Sequence, residues 1–277
     1  MELLVFIFII FIFGAKFYFF SDDTTFFSLI FDYLDIYRFK QNKEPKYAYL
    51  NQKNPSLTYE EEELLKNNFS YYNNLSADKK IIFGYRVKTF IKDKQFIGME
   101  ELKIDGKMIL MIAATAVKIT FGLRQYRFEN FTIFRVYPQQ FYSRLFNSYM
   151  YGGTSAYGVM SLAWDKFLYG FENTEDNINL GFHEFAHALI IYQQNEVNIT
   201  SFRRYTVEYD IQAEYAKDIM RNDDFFREYA FTNDMEFFAV VVEHFFENPK
   251  QLQQILPNLY TSLTKLFLQN PAAVSVN

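Results

Sequence analysis

The chain contains no cysteine. Disulfides and thiolate-held metals are therefore excluded, and any bound metal must be held by nitrogen and oxygen ligands. The absence does not fix a compartment. Basic residues are not in excess either: 28 Lys and Arg stand against 33 Asp and Glu, for a net charge of −5. That leaves no general electrostatic footprint for nucleic acid, and no direct nucleic-acid partner is expected. Histidine is scarce, with three residues, and tryptophan is represented by Trp164 alone. No internal repeat or low-complexity linker is present. By contrast, half of the 277 residues are apolar and 21% are aromatic, including 34 Phe and 22 Tyr. Such a chain has ample material for a packed core and does not read as disordered.

The first twenty residues, MELLVFIFIIFIFGAKFYFF, are nearly all apolar from Leu3 to Phe20, interrupted only by Gly14, Ala15 and Lys16. Counted to Phe20, the run has about the length of a spanning helix, and Lys16 sits where it can reach headgroups. A cleaved signal peptide fits less well, because a basic start and a small-x-small cleavage site are missing. A buried core helix would need a polar face that the segment does not have. Residues 1–21 are thus read as a transmembrane anchor. Lys16 lies toward its end and Arg38, Lys40, Lys43 and Lys46 follow it, with no basic residue before it, which places the bulk of the chain in the cytoplasm.

Beyond the anchor, residues 22–79 read as a helical extension and 80–277 as the main domain. Thr58 is an expected N-cap ahead of an acidic first turn, and Ser76 caps the next helix. Residues 104–121 predict a long buried helix ending near Gly122. FTIFRVYP predicts a strand stopped by Pro138, and YGVMSLAW a second one after a flexible YGGTS. Helices follow over 178–193 and 233–248, then two more divided by Pro257. The class is α+β, mainly helical with a small sheet.

Two of the three histidines lie in GFHEFAHALI, residues 181–190. On a helix, His183 and His187 fall about 40° apart on one face, one turn apart, so both imidazoles can reach one ion at about 2.0–2.1 Å. Glu184 is one step round, beside the open coordination position. There a carboxylate can act as general base on a water whose pKa zinc brings toward about 7. A chance match to this pattern is expected in about one in a few hundred such chains. Two core histidines with no ion are the plain alternative, and burying them with a carboxylate and no partner is costly.

A zinc site needs a third protein ligand. The stretch REYAFTNDMEFFAVVVEHFFENP offers Glu236 and Glu243, seven residues apart on one helix face. Asn233 with Glu236 also fits a capping box, and Glu243 a core ion pair. His244 reads as packing. Spacing alone does not choose between the carboxylates.

An ordered set of segments carries a resemblance. FIKDKQFIGMEELKIDGKMILMIAATAVKITFGL, FTIFRVYPQQF, GVMSLAWDKFLYG, NINLGFHEFAHAL, EFFAVVVEHFFENP and LPNLYTSLTKLFLQNP together span about 80–271. This arrangement resembles the Mlc titration factor A family of zinc peptidases, itself similar to the catalytic domain of anthrax lethal factor. Residues 1–75 lie outside the matched segments. The resemblance implies a zincin-type core holding one Zn2+ through His183, His187 and Glu236. It gives Glu184 the role of general base and makes Tyr229, seven residues before Glu236, the donor to the tetrahedral intermediate. Glu243 is then left to hold a ligand imidazole by its other N–H, or to serve as the alternative ligand. It also implies a peptide substrate and modest aminopeptidase-type activity, or else a regulatory role in which a membrane-anchored chain sequesters a transcriptional repressor or other protein partner. The family usually carries Leu-Asp where this chain has Leu189-Ile190, which leaves open what supports the site. The strand GVMSLAW is expected at the cleft edge, where an extended peptide could add to it.

Overall fold

A computed structural model describes residues 26–50, 52–173, 176–195 and 201–273. In chain order the helices are α1 (Phe26–Lys40), α2 (Tyr59–Asn68), the single turn α3 (Ser70–Asn73), α4 (Ala77–Lys92) and α5 (Gly106–Ile119). They continue as α6 (Trp164–Glu172), α7 (Leu180–Asn195), α8 (Ser201–Met220), α9 (Asp234–Glu247), α10 (Pro249–Ile255) and α11 (Pro257–Phe267). The strands are β1 (Gln95–Gly98), β2 (Ile133–Tyr137), β3 (Phe141–Ser143), β4 (Ser148–Met150), β5 (Gly152–Ser155) and β6 (Val159–Ala163). This is a mainly helical molecule with a small sheet, compatible with a zincin-like core.

Local chemistry accounts for the helix boundaries. Thr58 and Glu61 form a reciprocal capping box at α2, with Thr58 Oγ1 accepting from the Glu61 N–H and Glu61 Oε2 accepting from the Thr58 N–H. Ser76 occupies the N-cap position of α4 without a side-chain bond. Asp105 caps α5 by accepting from the Met108 N–H at 2.8 Å. Pro249 and Pro257 each open a helix at its first turn, where a missing N–H costs nothing.

The main sheet runs in the order β1-β2-β6-β5. β1, β2 and β6 are parallel, and β5 closes the edge antiparallel to β6, with Gly152 opposite Leu162 and Thr154 opposite Met160. β3 and β4 form a separate hairpin. YGGTS is therefore an edge strand and not a flexible linker. GVMSLAW is an interior strand, hydrogen-bonded on both sides, so it cannot accept an added peptide; the sheet's edges are β1 and β5, and β5 is the one packed against the helix that carries the histidines. Trp164 is partly buried and stacks on Phe167 at 5.3 Å.

One apolar core runs from Ile36 to Leu268. α5 lies deep in it, with ten buried residues from Met108 to Ile119. Residues of the 22–79 segment join the same core through Ile36, Leu65, Phe69 and Tyr72. Arg86 on α4 is fully buried and ties this segment down. It donates to Gln52 Oε1 at 2.6 Å and to the carbonyls of Ala48, Thr120 and Phe121 at 2.6, 3.2 and 2.9 Å. Its guanidinium also lies against the rings of Tyr126, Tyr49 and Phe121.

The membrane reading is corrected here. Residues 1–21 lie outside the described residues, and among the described residues no helix is long and apolar enough to cross a membrane. α1 has 15 residues and carries Asp32, Asp35, Arg38 and Lys40, while the strongly apolar α5 has 14 and is wrapped by protein. The anchor and the cytoplasmic placement that rested on it are set aside.

Replacing Arg86 with Met would take the guanidinium from three carbonyls, of which those of Ala48 and Thr120 keep a second donor, in Gln52 and the Leu123 N–H, and that of Phe121 does not. A loss of about 3 kcal/mol in urea unfolding is expected, against about 1 kcal/mol for Thr58→Ala. Equal effects from the two would show that the buried guanidinium does not anchor the segment.

Candidate active site

α7 supplies the motif. Its Phe182, Phe185, Ala186, Ala188 and Leu189 are buried, and it packs against α9, α5 and β5. That packing turns His183, Glu184 and His187 into the interior, where each is less than a tenth exposed. α9 arrives with Glu236 in its first turn. Asn233 caps α9 by accepting from the Glu236 N–H at 3.0 Å. The Glu236 side chain does not fold back on the cap; it reaches the histidines.

Three atoms converge. His183 Nε2 and His187 Nε2 are 3.1 Å apart. Glu236 Oε2 lies 3.0 Å from the first and 3.4 Å from the second. A tetrahedral ion with ligands at about 2.0–2.1 Å has ligand–ligand edges of about 3.3 Å. Glu236 Oε2 is buried and receives no hydrogen bond of good geometry. A buried carboxylate oxygen that faces two imidazole nitrogens without a well-formed hydrogen bond to either fits a cation between them, and the N,N,O donor set suits zinc. The cluster of His183, His187 and Glu236 fits a zinc site.

Around this trio the other groups are held apart. Glu184 is buried against β5. Thr154 Oγ1 donates to Glu184 Oε2 at 2.7 Å, and a Cβ on Gly152 would stand 2.2 Å from Glu184 Oε1. Only a glycine at 152 lets this carboxylate lie on the strand. Burial raises the Glu184 pKa, opposed by His183, His187 and Thr154. Tyr229 sits on a 3-10 turn (Glu228–Phe231), half-exposed, with its ring 6.1 Å from that of His183. Burial and the Glu236 carboxylate push its phenol up to about 12, so it keeps its proton at neutral pH.

Glu243 faces the back of the site. Its carboxylate is 1% exposed and lies 3.6 Å from His183 Nδ1. It accepts from the Asn179 N–H at 2.9 Å and from Arg227 Nη2 at 2.5 Å. His244 is buried between Phe225 and Phe226, and burial holds its pKa down at about 3. It packs as a neutral ring away from the trio. Thr154, Gly152, Asn179 and Arg227 were not read as site residues from the sequence. A glycine pair ahead of Thr-Ser is the one local signal, and it lies in the stretch YGGTS whose composition predicts flexibility.

The comparisons agree with this geometry. The family model of the glucose-regulated metallo-peptidase M90 matches residues 39–268. This is the Mlc titration factor A family that the ordered segments resemble. The match begins well before residue 80, where the ordered segments start. An uncharacterized protein of Synechocystis sp. is 27% identical over 228 residues, which covers 75% of this chain and 83% of that one.

Burial disfavours a charge on His183, but Glu236, Glu243 and Glu184 outweigh it and hold its pKa up at about 10. Glu236 is held below its usual range by the two histidines, against its own burial. A ligating imidazole must be neutral, so zinc uptake at pH 7.5 is expected to release about one proton per ion, read by calorimetry in two buffers of different ionisation heat. In metal-free protein, His183 contributes stability that is full below about pH 6.5 and lost as pH rises through about 10. Glu236 contributes stability that is full above about pH 4.5 and lost in acid. Melting of the metal-free chain should therefore be highest between those limits. A flat profile from pH 6.5 to 10 would contradict the coupling.

Proposed function

The chain belongs to the glucose-regulated metallo-peptidase family M90, and from that membership we propose that it is a zinc-dependent peptidase built on His183, His187 and Glu236. The observation that carries the reading is the convergence of those three ligand atoms on one point. When bound, zinc would supply Lewis acidity toward a peptide carbonyl and a water acidic enough to be used at neutral pH.

Glu184 is the general base in this reading. Its buried, raised-pKa carboxylate takes a proton from the attacking water and passes it to the leaving amine nitrogen. Thr154 fixes one oxygen and Gly152 leaves room for the other, so the base is held without having to reorganise. Tyr229 donates a hydrogen bond to the carbonyl oxygen as negative charge develops there, and a phenol with pKa near 12 has the proton to give. The outer edge of β5 receives an extended peptide by strand addition in this reading, which brings its backbone alongside Glu184. The activity is proposed to be of aminopeptidase type on short peptides, as the resemblance implies.

Zinc-loaded protein incubated with a mixed peptide library tests this. Glu184→Gln is expected to retain zinc and to lose about 10²–10⁴-fold in kcat/KM. Tyr229→Phe is expected to lose about 10²–10³-fold in kcat. Hydrolysis by Glu184→Gln at the wild-type rate would overturn the mechanism, and cuts confined to internal bonds would overturn the aminopeptidase assignment. Gly152→Ala should abolish cleavage with zinc content unchanged, because the methyl group occupies the space of Glu184 Oε1. Full activity in that variant would mean that Glu184 does not work from its position on β5.

A further inference from the structure

Glu243 poses a problem that its neighbours solve. A carboxylate with 1% exposure has lost nearly all its water, and a buried charge without partners is strongly destabilising. Two donors compensate it: the Asn179 N–H on Oε1 and Arg227 Nη2 on Oε2. The same Oε2 faces His183 Nδ1 at 3.6 Å. Arg227 Nη2 also lies 3.4 Å from that ring nitrogen. A guanidinium has no acceptor, and an imidazole that binds metal through Nε2 carries its hydrogen on Nδ1. The two donors therefore cannot bond each other, and both point at Glu243 Oε2.

Arg227 does more than neutralise. Its Nη1 donates to the carbonyl of Asn177 at 2.9 Å, in the segment leading into α7. One planar group thus joins α9, through Glu243, to the approach to α7. Arg227 also occupies the N-cap position of the 3-10 turn carrying Tyr229, two positions on, without a side-chain bond to that turn. The fork geometry matters, because one guanidinium nitrogen serves the carboxylate while the other serves the carbonyl; an ammonium on a flexible stem has no such fixed fork.

Resting on the metal-centre reading above, we infer that Arg227 is a positioning residue for that centre: it fixes Glu243, and through Glu243 it sets the ring of His183 for ligation. Removing the guanidinium leaves Oε2 without its strongest donor and frees the carboxylate to turn from His183. Loss of a hydrogen-bonding partner behind a metal-ligating histidine costs about 10–100-fold in metal affinity.

The test is a zinc dissociation constant for the full chain, measured by competition with a chromophoric chelator. Arg227→Met is expected to weaken zinc about 10–100-fold. In a Glu243→Gln background the same change should add less than about 3-fold, because the route through Glu243 is already broken. Arg227→Lys, which keeps the charge without the fork, is the variant to use if the Met form does not fold; a loss of about tenfold is expected there. The absorption of the cobalt-substituted wild type and variants reports the ligand field at His183 independently of hydrolysis, and a changed band is expected. Zinc affinity within twofold of wild type for Arg227→Met, or fully additive losses in the double variant, would overturn the inference and leave the metal centre standing. A wild type that binds no zinc at all would instead overturn the metal centre itself, and this inference with it.

Discussion

Two imidazole nitrogens and a carboxylate oxygen within 3.4 Å of one another make up the constraint that organises this molecule. Without a cation, the buried Glu236 oxygen has no donor of good geometry. Holding such a cluster requires two helices fixed against each other to a fraction of an ångström. The apolar stripes of α7 and α9 do that, with the Phe182 ring tilted against that of Phe246 at 5.4 Å and valines 240–242 fully buried. The aromatic richness of the chain has this use: large rigid side chains fill the space that keeps the polar atoms converged.

Behind the ligands the charges form a graded network. Asn179 links Glu243, through its backbone N–H, to Glu247, through its side-chain amide. Burial pushes Glu247 up to about 7 and brings Lys118 down to about 8. Lys118 meets the face of Phe182, next to His183 in sequence, at 4.4 Å. The family's usual Asp after Leu189 is replaced by Ile190, whose side chain packs against the core. Asn179, Glu243 and Arg227 provide polar support from the other side of the histidine. A low-dielectric interior makes each bond of that network stronger and each missing bond more costly.

Much of this was readable in advance for a definite reason. Helical periodicity placed α5, α7 and α9 nearly to their ends, since capping residues such as Thr58 and breakers such as Pro249 act within a few residues of themselves. His183 and His187 are on one helix, so their spacing already put them on one face. The sheet was less legible. β1 and β5 are four residues each, and β5 contains two glycines, so neither carries a pattern long enough to register. α8, with tyrosines and charges on several faces, was not foreseen as a helix. The edge strand beside the motif helix is β5 and not β6, because strand order depends on partners distant in sequence.

What the sequence determined by itself is the local chemistry: a helix that presents two imidazoles and a carboxylate, a second helix that offers two carboxylates on one face, and an absence of cysteine that excludes thiolate ligands. Spacing did not decide which carboxylate turns toward the histidines, because Glu236 and Glu243 are two turns apart and almost equivalent by angle; the family resemblance pointed to Glu236 without giving the physical reason. The tertiary structure decided it. The crossing of α9 over α7 brings the first turn of α9 to the imidazole Nε2 atoms and the second carboxylate to Nδ1, behind the ring. The two sides of one imidazole ring thus meet two carboxylates of one helix, and only the packing of one helix on the other fixes which side each one reaches.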